Sequence, residues 1–244
     1  MKVTVVGFWG GYPEAGGATS GYLFEHEGFQ LLIDCGSGVL SQLQSYIDVK
    51  DLDAVLLSHY HHDHVADIGV LQYARLIQSV TGTAMKELPI YGHTVDEKGF
   101  QSLTHEVYTK GIAYNPAESL QIGPFSITFR KTIHPAPCFA MRIEAGEDTV
   151  VYTADTSFFP ELIPFTSGAQ LFICECNMYA SQDGSKAGHL NSTEAGMIAK
   201  EAGVHTLLLT HLPHVGDLSD LVKEASQMFD GPTVLAHGGY TWIK

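Results

Sequence analysis

Basic residues are scarce in this chain. Its 244 residues include 13 Lys and Arg against 27 Asp and Glu, a formal net charge of −14 with histidine neutral. Surfaces that hold long nucleic acids concentrate Lys and Arg, because neutralising phosphate drives their affinity. A long polyanion is therefore not the expected partner. Long apolar runs are missing too. No stretch of 18 apolar residues occurs, so no membrane-spanning helix is expected. Residues 1–7, Met-Lys-Val-Thr-Val-Val-Gly, read as a first strand rather than a signal peptide, which points to a cytoplasmic location. Cysteine is limited to Cys35, Cys138, Cys174 and Cys176, without zinc-finger spacing or a secretory context. They are expected to be reduced and buried. Linkers, charge blocks and low-complexity tracts are also lacking. At 45% hydrophobic residues, the chain is expected to form a single domain, 1–244, around one sizeable core.

Histidine, by contrast, is plentiful, with 13 copies. Three of them fall in one short pattern, His59-x-His61-x-Asp63-His64. Roughly one random chain in five hundred of this composition would contain that grid. Imidazole and carboxylate are the ligands that zinc, iron and manganese accept in catalytic sites. The apolar run Asp53-Ala-Val-Leu-Leu-Ser58 before the pattern reads as a strand. After it, apolar residues at 68, 71, 74 and 77 have helical spacing, with Asp67 as the expected N-cap. A tight strand-to-helix loop thus carries four ligands, enough to serve two metals but not to close both sites.

Further ligands must come from elsewhere. Three later strand-like runs each end in a metal-capable side chain: Phe125–Ile133 before His134, Thr149–Ala154 before Asp155, and Thr206–Thr210 before His211. Ser20–His26 and Phe29–Ile33 read as a hairpin across Glu27-Gly28, 39–47 and 95–109 as helices, and Thr233–Ala236 as the last strand. Asn191 and Glu194 make a capping-box pair before Ala195–Ala202, with Gly203 as the stop. That places His189 just ahead of a helix N-terminus, where phosphate oxygens are welcome. The glycine-rich loop 10–17 either approaches a substrate closely or serves as a flexible connection. Residues 80–123 are expected to overhang the site. Asp34 either orients a ligand histidine or bonds backbone. His62 is expected to point away, His214 to face solvent, and His237, His26, His93, His105 and His205 to be structural.

Taken together, these motifs resemble the metallo-β-lactamase superfamily over nearly the whole chain. Leu31-Leu-Ile-Asp34-Cys-Gly-Ser-Gly38 is similar to its first motif, the His59–His64 grid to its second, and His134, Asp155 and His211 to its third, fourth and fifth. The resemblance implies an α/β fold: a four-layer αββα sandwich of two mixed sheets flanked by helices. It also implies two Zn2+ ions, although manganese or iron would suit the ligands as well. His59, His61 and His134 would hold one ion, and Asp63, His64 and His211 the other. Asp155 would bridge them, as a carboxylate with two oxygens can. Asp155 stands where many β-lactamases have cysteine, which points to the phosphodiesterase, lactonase and thioesterase branches. Gly188-His189-Leu-Asn-Ser-Thr-Glu-Ala195 resembles a motif of ribonuclease Z and of cyclic-phosphate phosphodiesterases. There the histidine is held near the leaving group by an acidic partner and protonates it; in this chain Glu175 or another acid would orient His189.

The expected activity is hydrolysis of a small cyclic or nucleotide phosphodiester, or ribonuclease Z-like cleavage of an RNA 3′ end. A hydroxide shared by the two metals would be the nucleophile, with His189 and Asp63 as catalytic residues. Only 20 residues separate His134 from Asp155, leaving no room for the arm with which ribonuclease Z grips tRNA. Two further readings remain. The same centre would suit a lactone, thioester or β-lactam, and a non-catalytic metal-binding protein would keep the fold alone. Pairing into a homodimer is expected by analogy with related phosphodiesterases.

Overall fold

The computed structural model describes residues 1–83 and 86–244. Contacts divide the chain into two compact units, each built on a seven-stranded mixed sheet. The first comprises residues 1–115, 122–124 and 238–243. Its strands β1 (Lys2–Gly7), β2 (Gly21–His26) and β3 (Phe29–Ile33) run antiparallel, joined on one side by the strand Thr241–Ile243. Then β4 (Ala54–Leu56), β5 (Leu88–His93) and β6 (Thr109–Tyr114) continue in parallel. The turn between β2 and β3 pairs His26 with Phe29. Both of its central residues have positive φ, Glu27 at 50° and Gly28 at 80°, as a two-residue hairpin turn demands.

Helices of this unit follow from the same patterning. α1 (Val39–Leu43) is shorter than the expected 39–47 helix. α2 (His62–Val65) and α3 (Ile68–Val80) follow the histidine pattern, and α4 (Glu97–Gln101) lies between β5 and β6. Leu23, Leu32, Val55, Leu57, Leu71 and Ile90 are fully buried in one core cluster. Each such side chain contributes ~1.5–3 kcal/mol by leaving water. Asp67 is not the cap expected of it. Its side chain makes no hydrogen bond to its own helix, and its Oδ2 accepts instead from the Leu40 amide at 2.9 Å. It therefore caps α1, 27 residues back along the chain. The expected helix over 95–109 shrinks to α4: turns follow it, with Glu106 in the left-handed region at φ 48°, and β6 takes up Thr109 onward. Residues 88–93 and 109–114 extend the sheet rather than forming an overhang.

The second unit comprises residues 116–121, 125–237 and 244. Its sheet runs, in chain order, β7 (Leu120–Ile122), β8 (Phe125–Lys131), β9 (Phe139–Ala145), β10 (Asp148–Tyr152), β11 (Leu171–Glu175), β12 (Thr206–Thr210) and β13 (Thr233–Leu235). β8, β9 and β10 are antiparallel, whereas β10 to β13 are parallel. Every residue of β11 and of β12 is buried, which accounts for their unbroken apolar runs. α5 (Leu162–Thr166), α6 (Ser192–Ala202) and α7 (Leu218–Ser226) complete the unit. α6 begins on the expected capping box and ends on Gly203 at φ 62°. Gly196 lets α7 come close: a Cβ there would sit 2.4 Å from the Ala225 carbonyl oxygen. No helix among the described residues is long and apolar enough to cross a membrane.

Candidate metal centre

Sheet geometry brings the first-unit ligands together at the end of β4. His59 and His64 are completely buried, and His61 and Asp63 are half-buried. The rings of His59 and His64 stand 4.1 Å apart, and those of His59 and His61 4.8 Å. Asp34, at the end of β3, is the anchor. Its Oδ1 accepts from the Ser58 amide and its Oδ2 from the Ser58 hydroxyl, both at 2.8 Å. The same Oδ2 lies 2.8 Å from His64 Nδ1. Both sequence readings of Asp34 hold at once, since it bonds backbone and orients a histidine. Ser58 extends the chain of contacts, its Oγ lying 3.0 Å from His59 Nδ1. The glycine-rich loop also takes part: the Gly11 amide donates to Asp63 Oδ2 at 2.9 Å.

The second unit holds the remaining candidates on the loops that follow its strands. His134 Nδ1 lies 3.1 Å from the Gly188 carbonyl. Asp155 Oδ2 lies 3.4 Å from His211 Nε2 and 3.8 Å from His134 Nε2. His189 Nδ1 meets Glu175 Oε1 at 2.9 Å, and the His189 ring stacks 5.3 Å from that of His211. Glu175 is buried at the end of β11. Its Oε1 also accepts from the Thr156 amide at 2.8 Å. Burial pushes its carboxyl above the usual range, an effect opposed by the neighbouring His189. Asn177 donates to the His211 carbonyl at 3.0 Å.

These contacts fit a divalent metal. Nδ1 of His59, His64 and His134 is taken by a hydroxyl, a carboxylate and a carbonyl, so each ring offers Nε2, the usual arrangement behind metal-bound histidine. The Nε2-to-carboxylate gaps are of another kind. At 3.4 Å for His211–Asp155, and 3.7 Å for His64–Asp63, they are too long for good hydrogen bonds. Two ligands about 2.1 Å from a shared tetrahedral ion stand ~3.4 Å apart. Within the first unit, ligand-capable atoms of His59 and His61 lie within 4.8 Å of each other, as do those of Asp63 and His64; within the second, the same holds for Asp155 with His134 and for Asp155 with His211. Glu175, His189 and His211 form another such group. Backbone strain gathers here as well. Asp34 (φ 58°), Ala154 (φ 50°) and His211 (φ 54°) are non-glycine residues in the left-handed region, and such strain concentrates at functional sites.

Among the other histidines, His62 is exposed as expected and His93 is buried. His237 is exposed rather than packed, and His214 is half-buried rather than facing solvent. Ser58, the Gly11 amide and the Gly188 carbonyl were not anticipated. Ser58 had a signal in its position next to His59, whereas the two backbone groups had none.

Comparison with known proteins decides the family. The model for the β-lactamase superfamily domain matches residues 30–212, three quarters of the chain. The chain belongs to the metallo-β-lactamase superfamily. Within it, the chain is 57% identical over 242 residues to the Bacillus subtilis protein named probable metallo-hydrolase YhfI, covering 99% of both. It superposes on the crystal structure of YhfI with a TM-score of 0.98, covering 99% of this chain and 98% of that one. The metallo-β-lactamase fold expected from the sequence is thereby established. More distant members include a ribonuclease Z of Methanopyrus kandleri, 25% identical over 275 residues (98% and 96% covered). Human tRNase Z, short form, shares the fold at a TM-score of 0.78 and 21% identity, covering 100% of this chain and 99% of that one.

Proposed function

We propose that this protein is a metal-dependent phosphodiesterase acting on a small cyclic or nucleotide phosphodiester. In this reading His59, His61 and His134 hold one metal and Asp63, His64 and His211 the second, with Asp155 shared between them. Zinc is the first candidate, and the imidazole and carboxylate donors suit manganese and iron too. Once bound, the metals supply an activated water at neutral pH and absorb charge on the phosphoryl oxygens.

His189 carries the choice of a phosphodiester. Its Nδ1 is held by the buried Glu175, so its Nε2 is the atom left to deliver a proton. An alkoxide leaving from phosphorus needs that proton, and general acid help of this kind contributes ~10²–10⁴-fold. A thioester expels a thiolate, which has no comparable use for it; a lactone expels an alkoxide, so the diester and the lactone are separated by direct assay. The names ribonuclease Z and tRNase Z among the relatives favour the same bond. A small substrate is favoured over tRNA by the net charge and by the segment after His134. There β9 and β10 form a hairpin that pairs Ala145 with Asp148 and leaves no arm.

The test uses zinc-loaded protein on bis-p-nitrophenyl phosphate, an acyl-homoserine lactone and a thioester. The diester should be turned over fastest. His189→Ala should keep its metal, counted by mass spectrometry, and lose at least ~10²-fold in kcat on a 2′,3′-cyclic nucleotide, whose alkoxide leaving group needs the proton, and much less on the nitrophenyl diester, whose phenolate does not. Fastest turnover on the lactone, or unchanged turnover of the cyclic nucleotide in His189→Ala, would overturn this reading, the first in favour of an acyl hydrolase.

A further inference from the structure

The second unit gathers two of the chain's three arginines on one patch. In the β8–β9 pairing Arg142 stands opposite Thr128, and Arg130 lies two residues further along β8. Directly opposed residues share a face of the sheet, and so do residues two apart. Both arginines therefore project from the side opposite the buried Phe125, Ile127 and Phe129, as diagonal neighbours within reach of each other. The Arg130 guanidinium makes no hydrogen bond or ion pair with the described residues, and lies over the Phe165 ring at 5.9 Å. In a chain with about twice as many acids as bases, an arginine without an acid partner is out of the ordinary. Arg142 donates Nε–H to Glu144 Oε1 at 3.0 Å, and Nη1 to the Phe165 and Ser167 carbonyls at 3.3 and 3.0 Å. Its Nη2 donors bond none of the described residues. With Pro164, Phe165 and Ser167, the two arginines line a hollow of about 380 Å³, within the range of small-ligand sites. No acid lines it. The larger hollow beside Arg75, by contrast, sets Asp51, Asp53 and Glu87 against Lys50, Arg75 and Lys86, so its charges cancel.

We propose that this hollow binds a phosphate monoester carried on an aromatic body, a mononucleotide, at a site that shares no residue with the metal centre. Two guanidinium groups match the charge of a phosphate dianion. Arg130 and the Nη2 side of Arg142 present N–H groups in the planar geometry that phosphate oxygens accept. Ser167 adds a hydroxyl to the lining, and Pro164 and Phe165 give the aromatic body an apolar wall. A monoester is preferred over a diester, because one dianion answers both arginines. A patch of two cations suits a single terminal phosphate and not a long polyanion, which needs many. In the reaction proposed above such a monoester is the product, but binding here does not depend on that reading.

Titration calorimetry on the zinc-loaded chain tests this with AMP, adenosine and inorganic phosphate. AMP should bind with a Kd on the order of 0.1 mM. Phosphate, lacking the apolar body, should bind at least ~threefold more weakly, and adenosine, lacking the charge, should not bind. AMP also has the metals open to it, so variants locate the site. Arg130→Glu, a change at an exposed position, should remove one AMP site or weaken it at least ~tenfold, with circular dichroism and metal content unchanged. Phe165→Ala should bring AMP down to the affinity of phosphate. Heat is read without turnover, so the outcome stands apart from the reaction assigned to the metals. AMP binding that Arg130→Glu leaves unaltered, or no binding at millimolar AMP, would overturn the site. Adenosine binding as well as AMP, or phosphate binding as tightly as AMP, would overturn the choice of a mononucleotide.

Discussion

Asp34 shows how much one buried carboxylate controls. It is fully buried, at φ 58°, and receives the Ser58 amide, the Ser58 hydroxyl and His64 Nδ1. Asparagine in its place would turn an amide N–H toward one of those three donors. The unmet group should lower stability by ~1–3 kcal/mol. The loosened His64 should weaken metal affinity ~10–100-fold, the usual effect of losing a partner behind a ligand. A thermal melt and competition with a chromophoric chelator measure the two. A variant with native metal affinity would show that His64 is not a ligand. Glu175 is the parallel case in the second unit, where it serves His189. Glu175→Gln should lower diester turnover in the same direction as His189→Ala, and the double variant should be little worse than His189→Ala alone. Residues that act as one unit show such non-additivity. Effects that multiplied would separate Glu175 from the chemistry.

At the scale of elements, α6 gives the cleanest energetic forecast. Asn191 Oδ1 accepts the Glu194 amide at 2.9 Å, and the Glu194 carboxylate accepts the Asn191 amide at 2.9 Å. Asn191→Ala removes half of the box and should cost about 1 kcal/mol. For a chain of this length that is a fall of ~2–4 °C in Tm. A fall of 10 °C would mean that Asn191 also holds the His189 loop, through its Nδ2 bond to the Gln182 carbonyl at 3.3 Å. The α6 box was legible because all of its parts lie within four residues. So was the ligand loop, with four donors in six residues after an apolar strand. The β2–β3 hairpin was legible from Glu27-Gly28. What escaped depends on distant partners. Asp67 sits where an N-cap belongs, yet its carboxylate is drawn to Leu40, an amide that no local pattern points to. The segment 95–109 has helical character only while β6 is ignored, and pairing with β5 claims its last residue. The backbone groups that steady Asp63 and His134 carry no side-chain signature.

The charge of the whole molecule sets how a substrate arrives. Two divalent metals would return about +4, leaving the chain close to −10. A diester monoanion then meets net repulsion at long range and attraction only near the metals. Salt screens the first more than the second, because the Debye length falls from ~30 Å at 0.01 M to ~8 Å at 0.15 M while the last few ångströms stay unscreened. Raising sodium chloride over that range should therefore increase kcat/KM on bis-p-nitrophenyl phosphate, through KM, with kcat unchanged. A neutral ester hydrolysed by the same site should show no such rise. A 20-nucleotide RNA at 10 µM should not compete for the diester, because an acidic surface gives its phosphates no counter-charges to displace. Strong competition by the RNA, together with a kcat/KM that falls as salt rises, would mean that a local cationic track outweighs the net charge. In that case a ribonuclease Z-like substrate would be the better reading.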